Sequence, residues 1–500
     1  MRLRLSVLLL AGLALPGCAG SASPATPEAA APASVEAVAG TWQAPAVVAD
    51  LGQRPLARCL VYHDTTPCRP VYAANLPRLS LAPSGTGFVL WNRYDGERFQ
   101  MASSRFLPQA GWQAPEDLPP GAGVGTPQDR FAERYILAGD GAGGALAAWS
   151  SALELRASRR LPGGGWQPVE RVGESGDMAS GLDAGGGALM VWRAQGDDLV
   201  WSRRDGAGWT PPAVLAASPG SQPFIYQHQL AVAADGSAFA AWTVVNQVVG
   251  TVGLPPEYDE VWASRWQPGR GWSPPRPLAR FEGGHVFSLG LAASPSGAVV
   301  AYQVTRYDRA RTITRILAQA CTGASACDGG PWTGPVVLAG DESGNSRFQM
   351  PRLAGDGRGR SVVAWVASDD LSGRYRVAAR FLDGGRAEWG PESLVAESSG
   401  YVDQLTPLRA ALSPAGNAVV LWKHRDTRAL VATLWAGHFV PRQGWTPVVR
   451  LRDGAIADFN DGVSEPELAM DGSGNALAAW TEVSGDRALV MAARLVAETR

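Results

Sequence analysis

The sequence predicts an all-β protein, and three observations support this fold class: the glycine and proline content, a recurring hairpin motif, and the positions of the tryptophans. The chain of 500 residues contains 60 Gly and 37 Pro. Both residue types break helices, so a long helical bundle is excluded. The hydrophobic fraction of 46% is ordinary for a folded protein and excludes disorder over most of the chain.

One motif of the form L-A-x-D-G-x-G-x-A-x-x-x-W recurs along the chain, as in ELAMDGSGNALAAW, which ends at Trp480. Each copy has two short apolar segments around a glycine-rich turn, which is typical of a β-hairpin. The eight copies are spaced 43 to 63 residues apart and end at Trp91, Trp149, Trp192, Trp242, Tyr302, Trp365, Trp422 and Trp480. The hairpin supplies strands A and B of each repeat.

A second motif follows each hairpin except the last: an outer strand, a glycine turn, then G-W-x-x-P and a short apolar strand, as in ASRWQPGRGWSPPRPL at 263–278. It supplies strands C and D. Its tryptophans are Trp112, Trp166, Trp209, Trp272, Trp332, Trp389 and Trp445. The last hairpin has no such D strand after it, whereas Trp42 in GTWQAPAVV provides an extra one before the first hairpin.

We therefore predict that the N-terminal strand completes the last repeat and closes a ring. A ring closed by its two chain ends has no open sheet edges, as in a β-propeller. The predicted fold is a single β-propeller of eight four-stranded blades over residues 39–500. Seven blades are the alternative if the divergent copy at Trp192 or Tyr302 is irregular. A linear β solenoid or two sandwiches would not explain the displaced D strand.

Residues 1–18, MRLRLSVLLLAGLALPGC, have a basic start and an apolar segment too short for a transmembrane helix. Leu15-Pro16-Gly17-Cys18 resembles the lipobox of bacterial lipoproteins. The resemblance implies cleavage before Cys18, acylation of Cys18 with fatty acids such as palmitate, and a membrane anchor. Ala19 in place of Asp favours the outer membrane, on its periplasmic side or the cell surface. An ordinary secretory signal is the alternative. Residues 19–38 are predicted to be a disordered, proline-rich tether.

The other four cysteines form two close pairs, Cys59 with Cys68 and Cys321 with Cys327. In an exported protein such pairs are expected to form disulfides. A metal site is the alternative, but neither pair has CxxC spacing and only His63 lies close in sequence.

A four-stranded blade places its A–B and C–D turns on one face and its B–C and D–A connections on the other. Here the A–B and C–D turns are mostly short and glycine-rich, whereas the other connections vary, and binding sites concentrate in variable loops. We therefore predict a ligand site on this variable face and at the channel mouth there. The candidate residues are Arg134, His228, His285, Arg347, Asp403 and Asp458. The alternative is that they are ordinary solvated loop residues.

Fifteen of the 19 tryptophans belong to the repeats, where we expect them to pack between blades. The remaining four fall near strand C: Trp201, Trp262, Trp266 and Trp435. They are candidates for stacking on sugars, or they are simply large side chains of an outer strand.

The sequence contains no GxSxG, HExxH or Walker A motif, and most of its D-G-x-G turns offer one Asp or none, too few for a calcium loop. The nearest acidic cluster is 458–462. No catalytic residue, metal site or cofactor is therefore assigned. The 44 basic residues are 43 Arg and Lys423, with a net charge of −2 and no clustered excess, so nucleic acid is not an expected partner.

The hairpins loosely resemble the Asp boxes of sialidases, but only in the turn glycine and the tryptophan, and no catalytic residues carry over. Asp471 to Trp480, Ala493-Arg494 and Gly444-Trp445 resemble the D-x-x-G-N-A-x-A-x-W, A-x-R and G-W units of bacterial envelope repeat proteins. That resemblance covers about 40–500 and implies a propeller without a settled activity. Residues 198–209 resemble one unit of bladed bacterial lectins.

Taken together, the sequence favours a non-catalytic, lipid-anchored propeller of the cell envelope that binds a protein or an envelope component. A lectin-like carbohydrate-binding propeller is the first alternative, and a sialidase-like glycan hydrolase is the second. The expected partners are the membrane, through lipid on Cys18, and a protein or glycan ligand.

Overall fold

The structure is a computed structural model, and it describes residues 40–53, 77–94, 99–122, 135–150, 154–206, 208–220, 223–246, 257–308, 311–323, 327, 332–341, 346–369, 374–384, 388–398, 404–405, 408–426, 431–455, 462–463, 466–484 and 487–497. Among these residues no helix is long and apolar enough to cross a membrane.

The strands follow one another in chain order as repeated sets. The first two are β1 (Thr41–Trp42) and β2 (Ala46–Gln53). Blade 1 has β3 (Arg78–Leu81), β4 (Gly87–Tyr94), β5 (Phe99–Leu107), β6 (Gly111–Trp112) and β7 (Glu116–Asp117). Blade 2 has β8 (Tyr135–Gly139), β9 (Ala145–Ser150), β10 (Glu154–Arg160) and β11 (Glu170–Glu174). Blade 3 has β12 (Asp177–Leu182), β13 (Ala188–Arg193), β14 (Leu199–Asp205), β15 (Gly208–Trp209) and β16 (Ala213–Ala216).

The central blades have longer strands. Blade 4 has β17 (Phe224–Val232), β18 (Ala238–Asn246), β19 (Tyr258–Gln267), β20 (Gly271–Trp272) and β21 (Arg276–Glu282). Blade 5 has β22 (Gly284–Ser294), β23 (Gly297–Asp308), β24 (Arg311–Thr322) and β25 (Val336–Gly340). Blade 6 has β26 (Ser346–Gly355), β27 (Ser361–Asp369), β28 (Tyr375–Asp383), β29 (Glu388–Trp389) and β30 (Ser393–Ser398).

The last two blades complete the ring. Blade 7 has β31 (Gln404–Leu405), β32 (Arg409–Leu412), β33 (Ala418–Asp426), β34 (Val431–Val440), β35 (Gly444–Trp445) and β36 (Val449–Ala455). Blade 8 has β37 (Gly462–Val463), β38 (Glu467–Met470), β39 (Ala476–Ser484) and β40 (Arg487–Val496), together with β1 and β2.

Each blade is an antiparallel sheet of strands A, B, C and D, in which short neighbouring segments together make one strand. The A strands lie innermost, each against the A strand of the next blade, and β38 of blade 8 contacts β3 of blade 1. The chain is thus an eight-bladed β-propeller, as predicted. The copies ending at Trp192 and Tyr302 form the regular blades 3 and 5, so the seven-bladed alternative is wrong.

The two ends of the chain meet in blade 8. Strands β1 and β2 pair antiparallel with β40, with Trp42 opposite Leu495 and Ala46 opposite Ala492. The predicted closure of the ring by the N-terminal strand is confirmed. Blade 8 therefore has its full set of four strands, although its D strand comes from the other end of the ring.

The aromatic residues at the shared register of strand B form the core between the blades, and strand B continues beyond them, as β23 does from Tyr302 to Asp308. The seven B-strand tryptophans and Tyr302 are each at most 1% exposed. They lie in separate hydrophobic clusters that join neighbouring blades, for example Trp149 with Leu90 and Met101 of blade 1. Burying rings of this size supplies much of the stability of a core.

A buried serine explains the A-S-R sequence of strand C. In blade 2 the Ser158 hydroxyl donates to the carbonyl of Gln167, the residue after the D-strand tryptophan, at 2.6 Å. Ser104, Ser202 and Ser264 donate in the same way to Gln113, Thr210 and Ser273. The bond fixes the start of strand D against strand C.

Strands of the central blades extend further toward the variable face than the sequence predicts. β17, β22 and β26 each contain an irregularity in pairing with strand B, between Ile225 and His228, Phe287 and Gly290, and Gln349 and Arg352. Such bulges interrupt the alternation that marks a strand in the sequence. His228 and His285, which we placed in the connections, therefore lie in β17 and β22, and Arg347 lies within β26.

Cys321 and Cys327 form a disulfide, with their Cα atoms 5.5 Å apart, as predicted. Both are buried against Phe239 and Ala298 between blades 4 and 5. Cys59 and Cys68 lie outside the described residues, so their pairing stays a prediction.

Candidate ligand-binding site at the channel mouth

On the face with the tight turns, the aspartates hold the A–B turns. Asp140 Oδ1 accepts the backbone N–H groups of Ala142 at 3.0 Å and Gly144 at 2.6 Å. Asp471 Oδ1 accepts those of Ser473 and Asn475, each at 2.9 Å. These carboxylates are turn caps. In the part of the chain that the structure describes, no three His, Cys, Asp or Glu side chains gather in a way that could hold a metal ion.

Strand C carries a basic residue at one register position in six of the eight blades. The position pairs with the residue three before the B-strand aromatic, and it is occupied by Arg105, Arg159, Arg203, Arg265, His438 and Arg494, with Ala320 in blade 5 and Phe381 in blade 6. We call the five arginines of this set the inter-blade arginines.

Arg494 and Arg159 show how inter-blade arginines reach into the next blade. Arg494 of blade 8 donates from Nη1 to the carbonyl of Pro108 in blade 1 at 3.1 Å. Its guanidinium lies 5.3 Å from the centre of the Phe106 ring. Arg159 of blade 2 lies so close to Gly186 of blade 3 that a Cβ at Gly186 would come within 1.8 Å of its Nη2. The A-x-R part of the repeat is therefore scaffold.

A second set of charged residues lines the channel. Arg78, Arg352, Arg409 and Glu467 each pair with the residue immediately before the B-strand tryptophan, so they occupy equivalent positions on the inner strands of blades 1, 6, 7 and 8. We call these four residues the arginine sector. At the same register the other blades carry Ile136, Ala179, Gln229 and Gly290.

The sector lies part-way along the inner strands. Arg409 and Glu467 follow β31 and β37, which are segments of the same inner strands, and Arg352 follows the bulge in β26. Arg78 is the first residue of β3. The side chains of Arg78, Arg409 and Glu467 are 26%, 19% and 19% exposed. They are part of the channel wall and still accessible from the channel.

The side chains of the sector are tied together across blades. Glu467 Oε1 accepts from Arg78 Nη1 at 2.9 Å and from Arg409 Nη2 at 3.4 Å. Arg78 Nε donates to the carbonyl of Tyr135 in blade 2 at 3.0 Å. Because each guanidinium is held by groups of its own or a neighbouring blade, the sector is preorganised.

Two of the guanidiniums converge on one oxygen atom. Arg352 Nε and Arg409 Nη1 both donate to the carbonyl of Leu408, at 2.9 and 3.3 Å. Like charges brought this close repel each other. Within the sector, three guanidiniums face one carboxylate, and all four lie in one half of the ring. This half of the channel is therefore suited to an anionic ligand.

The predicted ligand-binding residues do not assemble into one site. Arg134, Asp403 and Asp458 lie outside the described residues, as do Cys18 and the 458–462 cluster. Arg347 is the second residue of the inner strand β26, and its side chain is exposed. Their roles in binding stay predictions.

His228 points into the space between blades 3 and 4, at the position opposite Trp242. Burial lowers its pKa to about 4, with Arg193 acting in the same direction and Asp177 against it. In other blades this position holds residues such as Tyr135 and Leu408, which are buried. His228 thus occupies a core position as a neutral imidazole.

His285 lies beside a buried carboxylate. Its Nδ1 is 3.8 Å from Asp259 Oδ1, and the Asp259 side chain is 2% exposed. Burial raises the pKa of Asp259, while the Val286 N–H, which donates to its Oδ2 at 2.7 Å, opposes that shift. The imidazole is flanked by Phe287 and Tyr307.

The four tryptophans outside the repeats all lie on strand C, as predicted. Trp266 is buried, with its ring centre 4.9 Å from that of Trp201. The indole N–H groups of Trp262 and Trp435 donate to Glu260 Oε2 and Thr433 Oγ1 of their own strands. Trp201, Trp262 and Trp435 are half-buried against inter-blade clusters, and sugar stacking by these residues stays a prediction.

The sequence analysis missed the arginine sector. Its four members stand thirteen residues before the B-strand tryptophans Trp91, Trp365, Trp422 and Trp480. An alignment of the repeats at this fixed offset would have shown charge in four consecutive blades of the ring. This position directly precedes the apolar residues of the hairpin motif and lies outside the variable connections in which we predicted the site.

No protein-family model matches the chain, and no curated protein matches it either. Solved structures do resemble it. An α-L-arabinanase from Penicillium chrysogenum is 16% identical, with a TM-score of 0.36 over 63% of this chain and 92% of that one. A six-bladed β-propeller lectin from Aleuria aurantia is 15% identical, with a TM-score of 0.32 over 65% and 98%. A protein of unknown function from Dyadobacter fermentans is 14% identical, with a TM-score of 0.38 over 73% and 94%. Likenesses this distant carry no argument about activity.

Proposed function

We propose that this protein is a non-catalytic binding propeller of the cell envelope, and that its ligand enters the channel from the variable face. The observation that carries the proposal is the arginine sector. Its charged residues occupy one register in four consecutive blades, whereas the other blades are uncharged there. Scaffold residues recur around the ring, so a charge confined to one sector points to a ligand.

Binding fits the sector better than hydrolysis does. A glycoside hydrolase uses two carboxylates, one of which must deliver a proton. The sector contains one carboxylate, Glu467, and it serves as the counter-ion of Arg78 and Arg409. Guanidiniums held by backbone carbonyls bind and orient an anion without taking or giving a proton.

A pull-down from envelope extracts tests this function. The full-length protein is immobilised as wild type, as Arg352→Ala with Arg409→Ala, and as Arg171→Ala. Arg171 is the matched control, because its side chain lies on an outer strand and is 64% exposed. We expect the double variant to lose a component that the wild type and the control both retain. Capture of the same components by all three proteins would place the ligand elsewhere.

We further propose that the protein is anchored to the outer membrane through lipid on Cys18. The support is the sequence Leu15-Pro16-Gly17-Cys18 at the end of an apolar leader, with Ala19 after it. Growth with labelled palmitate should label the wild-type protein and leave Cys18→Ser unlabelled. Equal labelling of the two proteins would exclude acylation at this cysteine. Fractionation of the membranes then tests the choice of membrane.

A further inference from the structure

Two like charges are fixed beside each other where blades 6 and 7 meet. Arg352 of blade 6 and Arg409 of blade 7 both donate to the carbonyl of Leu408, so their bonded nitrogen atoms cannot be further apart than the sum of 2.9 and 3.3 Å. Two guanidiniums this close together can both donate to one carboxylate placed between them.

The same wall shows how such a pair takes up a carboxylate. On the other side of Arg409, the Glu467 carboxylate of blade 8 accepts from Arg409 and from Arg78 of blade 1. One carboxylate oxygen thus joins guanidiniums from blades on either side of its own. A carboxylate oxygen is thus a group that already joins two guanidiniums on this wall.

We propose that the arginine sector binds a carboxylate-bearing ligand, whose carboxylate bridges Arg352 and Arg409. This inference rests on the proposed function and specifies the ligand chemistry of that site. A guanidinium can donate two parallel hydrogen bonds to the two oxygens of a planar carboxylate. The carboxylate enters from the channel, and the uncharged wall formed by Ala179, Gln229 and Gly290 across the ring accommodates the rest of the ligand.

Calorimetric titration of the full-length protein at low salt tests the ligand chemistry. The probes are trigalacturonate, an acetylated diglutamate peptide, neutral maltotriose and inorganic phosphate. We expect at least one of the two carboxylate probes to bind and maltotriose not to bind. The two acids distinguish an acidic glycan from an acidic peptide as the source of the carboxylate. Tighter binding of phosphate than of either acid, or equal binding of maltotriose, would overturn the proposal.

Variants of the sector test the position of the site. Arg352→Gln and Arg409→Gln should each weaken binding of the acid by at least about tenfold, because each removes one charge-assisted bond. Arg171→Gln is the matched control and should leave binding unchanged. Glu467→Gln should tighten binding several-fold, because it removes the competing carboxylate. Weaker binding by Glu467→Gln, or an equal loss in Arg171→Gln, would contradict the assignment. Thermal unfolding of each variant, compared with that of the wild type, is the control for loss of the folded ring.

The outcomes separate this inference from the proposed function. Loss of an envelope component by the double alanine variant, without binding of either acid, would support the channel site and reject the carboxylate. Binding of an acid that depends on Arg352, without a change in the pull-down, would support the carboxylate and reject the envelope component as its carrier.

Discussion

The inter-blade arginines and the arginine sector use the same side chain in two places with opposite consequences. The first set occupies one register of strand C in five of the eight blades, with His438 in a sixth, and members such as Arg494 reach into the adjacent blade, here to the carbonyl of Pro108. The second set occupies the inner strands of blades 1, 6, 7 and 8 alone, within the described ring. In a repeat protein, a residue shared by all repeats holds the fold, and one confined to a few repeats is available for function.

The largest expected effect on stability is at the repeated aromatic position. Trp149→Ala should lower the free energy of unfolding by about 3–5 kcal/mol, because it empties a site that joins blades 1 and 2. Trp435→Ala, at a half-buried tryptophan outside the repeats, should cost distinctly less. Chemical denaturation of both variants measures the difference. Equal losses would remove the distinction between repeated and unrepeated tryptophans.

A smaller effect is expected from His438, which takes the place of an inter-blade arginine in blade 7. Burial lowers its pKa to about 4. The unfolded chain, with an ordinary histidine pKa, binds the proton more readily. The contribution of neutral His438 to the free energy of unfolding is therefore fully present above about pH 6.5. It falls as the pH drops toward 4, by up to about 3 kcal/mol.

His438→Leu should remove this part of the acid sensitivity, and unfolding curves at pH 7.5, 6, 5 and 4.5 measure it. The variant and the wild type should diverge below pH 6.5. His228, whose pKa burial also lowers to about 4, contributes in the same direction and remains in both proteins. A constant difference between the two proteins across the whole range would show that His438 carries no proton linkage.

Arg159→Ala should cost about 1–2 kcal/mol, through the loss of the stem and guanidinium packed against Gly186. The matched surface variant Arg171→Ala should change stability by no more than about 0.5 kcal/mol. If the two variants unfold alike, the A-x-R arginines do not join the blades.

The smallest effect on stability is expected in the sector. Arg352→Ala should change the free energy of unfolding by less than about 1 kcal/mol, because it removes a bond to a carbonyl but also a repulsion from Arg409. Thermal unfolding measures this change. A loss as large as that of Arg159→Ala would make Arg352 a scaffold residue.

The sequence was sufficient for the fold because the fold is repeated. Eight copies of one hairpin showed the number of blades, and the displaced Trp42 segment showed how the ring closes. The turn aspartates and the B-strand tryptophans were also interpreted correctly, since their roles depend on local geometry and on burial that all repeats share.

The site was less accessible from the sequence. Arg78 and Arg352 are 274 positions apart in the chain, and only ring closure brings their blades into one sector of the channel. His228 was expected in a loop because the bulge in β17 obscures the strand pattern, and the structure places it in a core position. Three predicted residues, Arg134, Asp403 and Asp458, lie outside the described residues.

The closure of blade 8 also sets when the molecule becomes complete. Its outer strand is the first strand of the ring in chain order, whereas its partner β40 (Arg487–Val496) is the last. The first strand must therefore wait for the last before it can pair. Loss of either strand leaves the other without its partner, so the two ends of the ring depend on each other for stability.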